Sequence, residues 1–299
     1  MKSTLEYSIE KDKEGIKLIN FLRHELKMST RLTRKLLRGE FVKINGITGK
    51  ANSILKCDDR VIIILDTGET QDIEPQDIPI DICYEDEDIL IVNKPPFMVV
   101  HPTKGHPQGT LSNAVMHYFK KTNQNSIVRL VNRLDRDTSG LVVIAKSQFA
   151  HQAMAKKLEK NEIEKYYVSI VEGMMEGRGT IDLPIDREFP DSVKRAVIEN
   201  GQRAVTHYEV ISSSFDMSAL LIKLETGKTH QIRVHFSHIG HPIVGDTLYG
   251  KESNLINRQA LHAHILKFKS IRDNRPLEIV AKIPDDINNL MNIINHSNL

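Results

Sequence analysis

The charges of this chain change sign near residue 60, and that break constrains its folding more than any other feature. Gly15 to Arg60 holds 11 Lys/Arg against 4 Asp/Glu, a local balance of +7. Val61 to Asn93 holds 10 acidic residues and neither Lys nor Arg. The whole-chain net charge of +2 hides this asymmetry. Neighbouring segments of opposite sign suit a basic module joined to a larger body by an acidic connector. On charge alone the basic segment is either a binding surface or a solvated helix without a partner.

Periodicity gives the module a shape. Ile16, Ile19, Leu22 and Leu26 recur at helical spacing, so a helix is expected over about 14 to 27. Ser29 suits the N-cap of a second helix, with Leu32, Leu36 and Leu37 inward and Gly39 as its stop. Arg31, Arg34, Lys35 and Arg38 form a separate basic stripe on it. A strand over Phe41–Ile44 ends in the Asn45-Gly46 turn signal, and Val61 to Leu65 reads as another. The expected division is a module over 1–65, an acidic linker over 66–80 containing Pro75 and Pro79, and a body over 81–299.

The 299 residues, 40% hydrophobic and 27% charged, suit a globular protein. No apolar run approaches the roughly 20 residues needed to cross a bilayer, and Met1–Asp12 lacks the apolar core of a secretory signal. Two cysteines, Cys57 and Cys83, support neither a disulfide framework nor a four-thiolate zinc site. A reducing cytoplasm is the expected location. In the body, Ile89–Val92, Leu141–Ala145, Tyr166–Val171, Leu220–Leu224 and Ile265–Phe268 read as strands. Ser147–Asn161 and the stretch after Pro284 read as helices. Without strict strand–helix alternation, α+β is favoured over a doubly wound sheet.

Three segments combine ionisable residues with turn formers. In the first, Arg129 to Leu141, Asp135 lies between Arg133 and Arg136, which should hold its carboxylate ionised. Such an aspartate suits a nucleophile; a structural salt-bridged turn is the commoner use of the pattern. In the second, Glu225 to His235, Gly227-Lys228-Thr229 invites a phosphate-loop reading, but the required earlier glycine is Ile222. Read as extended chain, Thr229, Gln231 and Arg233 face one way. The third, Lys165 to Gly173, is a strand with adjacent tyrosines.

Together these segments resemble the RluA-type pseudouridine synthases, the RluD-like subfamily in particular, over about Ile82 to Pro284. Supporting stretches are Asn93-Lys94-Pro95, Val99-Val100-His101-Pro102, Val244-Gly245-Asp246, Tyr249-Gly250 and Leu261-His262-Ala263. The resemblance implies that Asp135 is the nucleophile, that Arg233 pairs with it, and that Tyr167, not Tyr166, lies over the base. It makes Arg133 a residue that displaces the target base, with Arg136, Lys228 and Gln231 as neighbouring RNA contacts. Residues 15 to 65 resemble the alpha-L RNA-binding domain of ribosomal protein S-four, which places the basic stripe on RNA phosphates. The implied fold is that small domain followed by a catalytic domain with a mixed, largely antiparallel sheet flanked by helices. The implied substrate is RNA, large-subunit ribosomal RNA first and transfer RNA second; no cofactor or metal is called for, and a monomer is the default.

Two positions depart from the family pattern. The residue before Arg133 is commonly histidine and here is Asn132; the one before Thr229 is commonly arginine and here is Lys228. Two readings of other classes compete. His230, His235, His238 and His241 raise a zinc site, disfavoured because residues three apart on a strand face opposite ways. A non-catalytic RNA-binding protein would account for the basic module but leave the Asp135 and Arg233 segments unexplained. Within the enzyme reading, a hydrolytic nucleosidase would release free uracil.

Overall fold

Ser29 acts as a helix cap, its hydroxyl accepting the Leu32 N–H at 3.2 Å, and around it the N-terminal residues build a small sheet with a core of its own. The computed structural model describes residues 3–296; residues 1–2 and 297–299, at the ends of the outer expected domains, lie outside the described residues. The first sheet contains β1 (Thr4–Ser8), β2 (Val42–Ile44), β3 (Ile47–Thr48) and β4 (Arg60–Ile64), in the order β1-β4-β2-β3. Asn45 and Gly46, with φ of 49° and 85°, make the tight turn between β2 and β3. Against this sheet pack α1 (Leu18–Asn20), continued by a π-helical turn Phe21–Glu25, and α2 (Thr30–Arg38). Leu18, Leu22, Leu36, Val42, Leu55 and Val61 are fully buried between them.

The first helix starts at Leu18, not near residue 14. Residues just before it are spent on chain pairing: Gly15 N–H reaches Leu55 O, and Leu55 N–H reaches Ile16 O. Tertiary hydrogen bonds therefore override the helical period there. Periodicity also missed β1, which joins the sheet only through its long-range partner β4. Residues 66–80 carry no helix or strand.

The body is a ten-stranded sheet. Its strands are β5 (Asp81–Glu85), β6 (Ile89–Lys94), β7 (Arg129–Leu130), β8 (Ser139–Ala145), β9 (Glu164–Glu172), β10 (Arg178–Asp182), β13 (Val205–Ser213), β14 (Met217–Leu224), β15 (Leu261–Lys269) and β16 (Pro276–Val280). The main path runs β10-β13-β14-β9-β15-β8-β6-β5, with β16 beside β15 and β7 beside β8. A separate two-stranded ribbon pairs β11 (Ile185–Arg187) with β12 (Arg195–Val197). Helices α3 (Leu111–Lys121), α4 (Gln148–Glu159), α5 (Gln231–His238) and α6 (Asp285–His296) cover the sheet, an α+β arrangement.

Every pairing in this sheet is antiparallel except β8 with β15. That parallel seam is tight. Gly140 has φ +114°, and a Cβ on it would lie 2.2 Å from the Ala263 carbonyl oxygen, so no side chain fits. β8 is buried on both faces, Val142 and Ile144 against the α3 side, Leu141 and Val143 against the α4 side. Such a strand reads as an unbroken apolar run, which is why it was legible from sequence.

Candidate active site

The site forms where the chain enters the parallel seam, in the turn that leads from β7 into β8. Asp135 lies four residues before Ser139, the first residue of β8. Its turn is held from beneath by two buried cations. Lys94 is fully buried, and its ammonium donates to the carbonyls of Pro95, Met98 and Arg136 at 2.8 to 2.9 Å. Burial pulls its pKa down to about 7. Arg258 donates to the Asp137 carbonyl at 3.1 Å while its Nε and Nη2 hold Asp286. Asn132 braces the same turn: its amide donates to Leu141 O at 3.1 Å and its oxygen accepts the Val143 N–H at 2.8 Å. The departure at Asn132 thus falls on a residue turned towards the β8 backbone.

The second segment is not extended. His230 takes a left-handed conformation, φ 58°, and α5 begins at Gln231. The expectation of a strand is overturned because Gln231 ties the preceding turn into a cap. Its Oε1 accepts from Thr226 Oγ1 and Lys228 N–H at 2.8 and 2.9 Å, and its Nε2 donates to Val205 O and Thr206 Oγ1 at 2.9 and 3.0 Å. The strand argument against zinc falls with it. Two of these imidazoles have other partners: His235 reaches Thr206 Oγ1 and Leu183 O, and His241 reaches Glu172 O. Among the described residues no group of three potential ligands is placed to hold a metal.

From the first turn of α5, Arg233 reaches the Asp135 turn. Its Nη1 donates to Asp135 Oδ2 at 2.9 Å. Its Nε and Nη2 form a two-pronged bond to Asp246, at 2.6 and 2.8 Å. Burial opposes the guanidinium charge, but Asp246 and Asp135 outweigh it and hold the pKa above its ordinary value. Asp246 is itself fixed by the Leu248 and Tyr249 N–H groups at 3.0 and 3.2 Å. Tyr249 lies under Arg233, with its ring centre 5.0 Å away. His230 completes the cluster: Nε2 is 3.7 Å from Asp135 Oδ2, and Nδ1 is 2.9 Å from the Tyr249 hydroxyl. Burial lowers the His230 pKa, which favours the neutral ring.

Tyr167 lines the pocket with Asp135, Arg133, Lys228, His230 and Arg233. Burial first, and the Asp135 charge second, push its hydroxyl up to about 12, so it stays protonated. Strand alternation sends Tyr166 to the opposite face, where Lys223 and Lys267 lie 5.4 and 5.7 Å from its ring. Arg133 is exposed at the pocket. Arg136 is exposed too, its guanidinium held by Asp137 at 2.7 and 3.1 Å. In α2, Arg31, Arg34 and Arg38 are exposed, whereas Lys35 is partly buried against Glu69, which also binds Arg129.

Sequence reasoning gives no role to Asp246, Tyr249, Lys94 or Arg258, and raises His230 only as a zinc ligand, not as a neighbour of Asp135. Asp246, Tyr249 and Lys94 stand in stretches that carried the family resemblance, and that was the available signal. Arg258 had none, because its partners are backbone carbonyls and Asp286, 28 residues away.

Residues 88–238 match the family of RNA pseudouridylate synthases. The chain is 39% identical over 277 residues to the uncharacterized RNA pseudouridine synthase YjbO of Bacillus subtilis, spanning 91% of this chain and 97% of the relative. It is also 39% identical to ribosomal large subunit pseudouridine synthase D of Escherichia coli, over 85% of this chain and 82% of that one. A solved structure, human RNA pseudouridylate synthase domain containing 4, shares the fold with a TM-score of 0.60 at 22% identity, covering 72% of this chain and 93% of that chain. The chain belongs to the RNA pseudouridylate synthase family. It is an RNA pseudouridine synthase, an isomerase that takes RNA as its substrate.

Proposed function

We propose that Asp135 is the nucleophile of this isomerase and that it acts on a uridine flipped out of large-subunit ribosomal RNA. The observation that carries the reading is the chain Asp135–Arg233–Asp246: one buried guanidinium aims a carboxylate into a pocket beside Tyr167. The reaction breaks the bond from uracil N1 to C1′ and makes one from C5 to C1′. A stacked uridine cannot enter a pocket, so it must leave its helix at a cost of a few kcal/mol. Arg133, exposed at the rim, is a planar cation suited to fill the vacated place. Tyr167 lies where a uracil face would rest. Asp135 attacks C1′ or C6, and Arg233 keeps it oriented and compensates its charge. Gln231 supports this arrangement through the turn it caps, and Lys228 and Arg136 supply positive charge near the RNA.

The N-terminal residues act as an alpha-L-type RNA-binding module, whose exposed Arg31, Arg34 and Arg38 supply phosphate contacts. The ribosomal target rests on the likeness to pseudouridine synthase D relatives. The test uses ribosomal and transfer RNA from a strain lacking this gene, incubated with the protein or with Asp135→Asn. Pseudouridines are then mapped by carbodiimide adducts and primer extension. The expected result is a new stop in large-subunit RNA with the unmutated protein only. Equal modification by the variant would remove Asp135 from the role of nucleophile, a stop in transfer RNA alone would replace the target, and release of free uracil would indicate a hydrolase.

A further inference from the structure

The β11–β12 ribbon carries a cationic site outside the Asp135–Arg233–Asp246 cluster. Arg187 and Arg195 stand directly opposite each other in its register, a like-charge pairing that works against the ribbon. Arg187 donates to the Pro190 carbonyl at 2.7 Å. Arg195 has no such outlet: its Nε is buried and without a hydrogen-bond partner among the described residues. Its backbone N–H, not its side chain, donates to the Tyr249 hydroxyl at 2.8 Å. A buried donor left unpaired bears its full desolvation penalty, so the side chain is set for an acceptor that the described residues do not supply.

That acceptor has a place to sit. Arg195, Lys228, Gln202 and Thr229 line an open cleft of about 210 Å³. Its one carboxylate, Asp186, accepts the Arg187 N–H at 2.7 Å. Lys228 donates to the neutral Gln202 Oε1 at 3.1 Å, which leaves its charge uncompensated. At the same turn Lys165 is partly buried, with its Nζ 3.8 Å from where a Cβ on Gly227 would stand. Lys228 lines both this cleft and the pocket of Asp135, so the two adjoin at that side chain.

We propose that Arg195 and Lys228, with Lys165 behind the turn, form a subsite for one backbone phosphodiester of the substrate RNA, the one adjoining the uridine in the catalytic pocket. A guanidinium fork fits two phosphate oxygens, and Lys228 supplies a point charge. Extruding a nucleotide rotates its backbone, and a phosphate held beside the pocket keeps the extruded nucleotide in place. The inference rests on the base-flipping reading of the pocket.

The full-length protein is compared with Arg195→Gln and Arg195→Lys, substitutions that leave the backbone bond to Tyr249 intact. Binding to a single-stranded poly(U) probe is measured across a salt series, and KM and kcat on large-subunit RNA from the deletion strain. Arg195→Gln is expected to raise KM about tenfold, to change kcat little, and to reduce the slope of log K against log salt by about 1. Arg195→Lys should restore the slope and only part of the affinity. An unchanged slope and KM in Arg195→Gln would overturn the subsite, as would a loss of kcat alone. If that variant fails to fold, Lys228→Gln must show the same loss of slope. Should the unmutated protein modify no RNA, the catalytic reading fails on its own, while the poly(U) slopes still decide whether Arg195 binds phosphate.

Discussion

Arg233 is the residue on which the most depends, because two carboxylates share it and only one is accessible. Asp246 is fully buried and takes the two-pronged contact, whereas Asp135 keeps about a third of its side-chain exposure and receives a single bond. The buried partner therefore fixes the guanidinium, and the guanidinium in turn positions the exposed carboxylate. Asp246→Ala should leave a buried cation half unpaired and cost roughly 3–5 kcal/mol in urea unfolding. Asp246→Asn keeps the shape but loses the charge; it should lose less stability yet still slow single-turnover pseudouridine formation. If Asp246→Asn keeps full rate, the positioning role is wrong. At this scale the family resemblance already implied the pairing of Asp135 with Arg233, seen here at 2.9 Å, but not the two-pronged bond from Arg233 to Asp246 that fixes it.

At the scale of elements, the segment holding Arg233 carries a period that its structure does not follow. Its alternation of polar and apolar residues suits a strand, yet the left-handed His230 and the Gln231 cap make it the start of α5. On a helix, residues two apart point about 200° from each other. Gln231 accordingly bonds to β13 while Arg233 faces Asp135. The parallel seam makes a second claim at this scale. His262 of β15 is fully buried, bonds Ser139 of β8 at 2.9 Å, and is depressed by burial to about 4. Its unfolded value is near 6.5, so the unfolded chain takes up the proton first as pH falls. Stability from this group is complete above pH 6.5 and is lost progressively as pH falls towards 4. Urea unfolding at pH 7 and pH 5 should differ by about 2 kcal/mol more in the unmutated protein than in His262→Gln. Equal pH dependence in both would show that His262 does not titrate on unfolding.

Across the whole molecule, the small N-terminal sheet and the large sheet meet through named contacts. Gln152 of α4 accepts the Ser29 N–H at 2.9 Å, and Arg272 donates to the Thr4 carbonyl at 2.9 Å. Glu69 sits between them, joining Lys35 of α2 to Arg129 at the start of β7. The basic stripe is thus reduced to Arg31, Arg34 and Arg38 on its exposed side. Replacing those three with Gln should weaken RNA binding at low salt and flatten its salt dependence by up to about 3, measured by filter binding. Pseudouridine formation at saturating RNA should change little. Unaltered salt dependence would show that α2 does not touch phosphate.

Sequence alone determined the parts that short-range physics sets. The Ser29 cap, the Asn45-Gly46 turn, the apolar run of β8, and the α4 and α6 positions all follow from local periodicity and turn chemistry. Motif resemblance added the candidate site residues, because their order along the chain is itself a signature. Only the tertiary structure decided β1, the late start of α1, the helical setting of Arg233, and the burial of Lys94, Asp246 and Arg258. Each of these depends on a partner far away in the chain, and a local pattern carries no information about which distant group will arrive to satisfy a buried charge or an unpaired backbone.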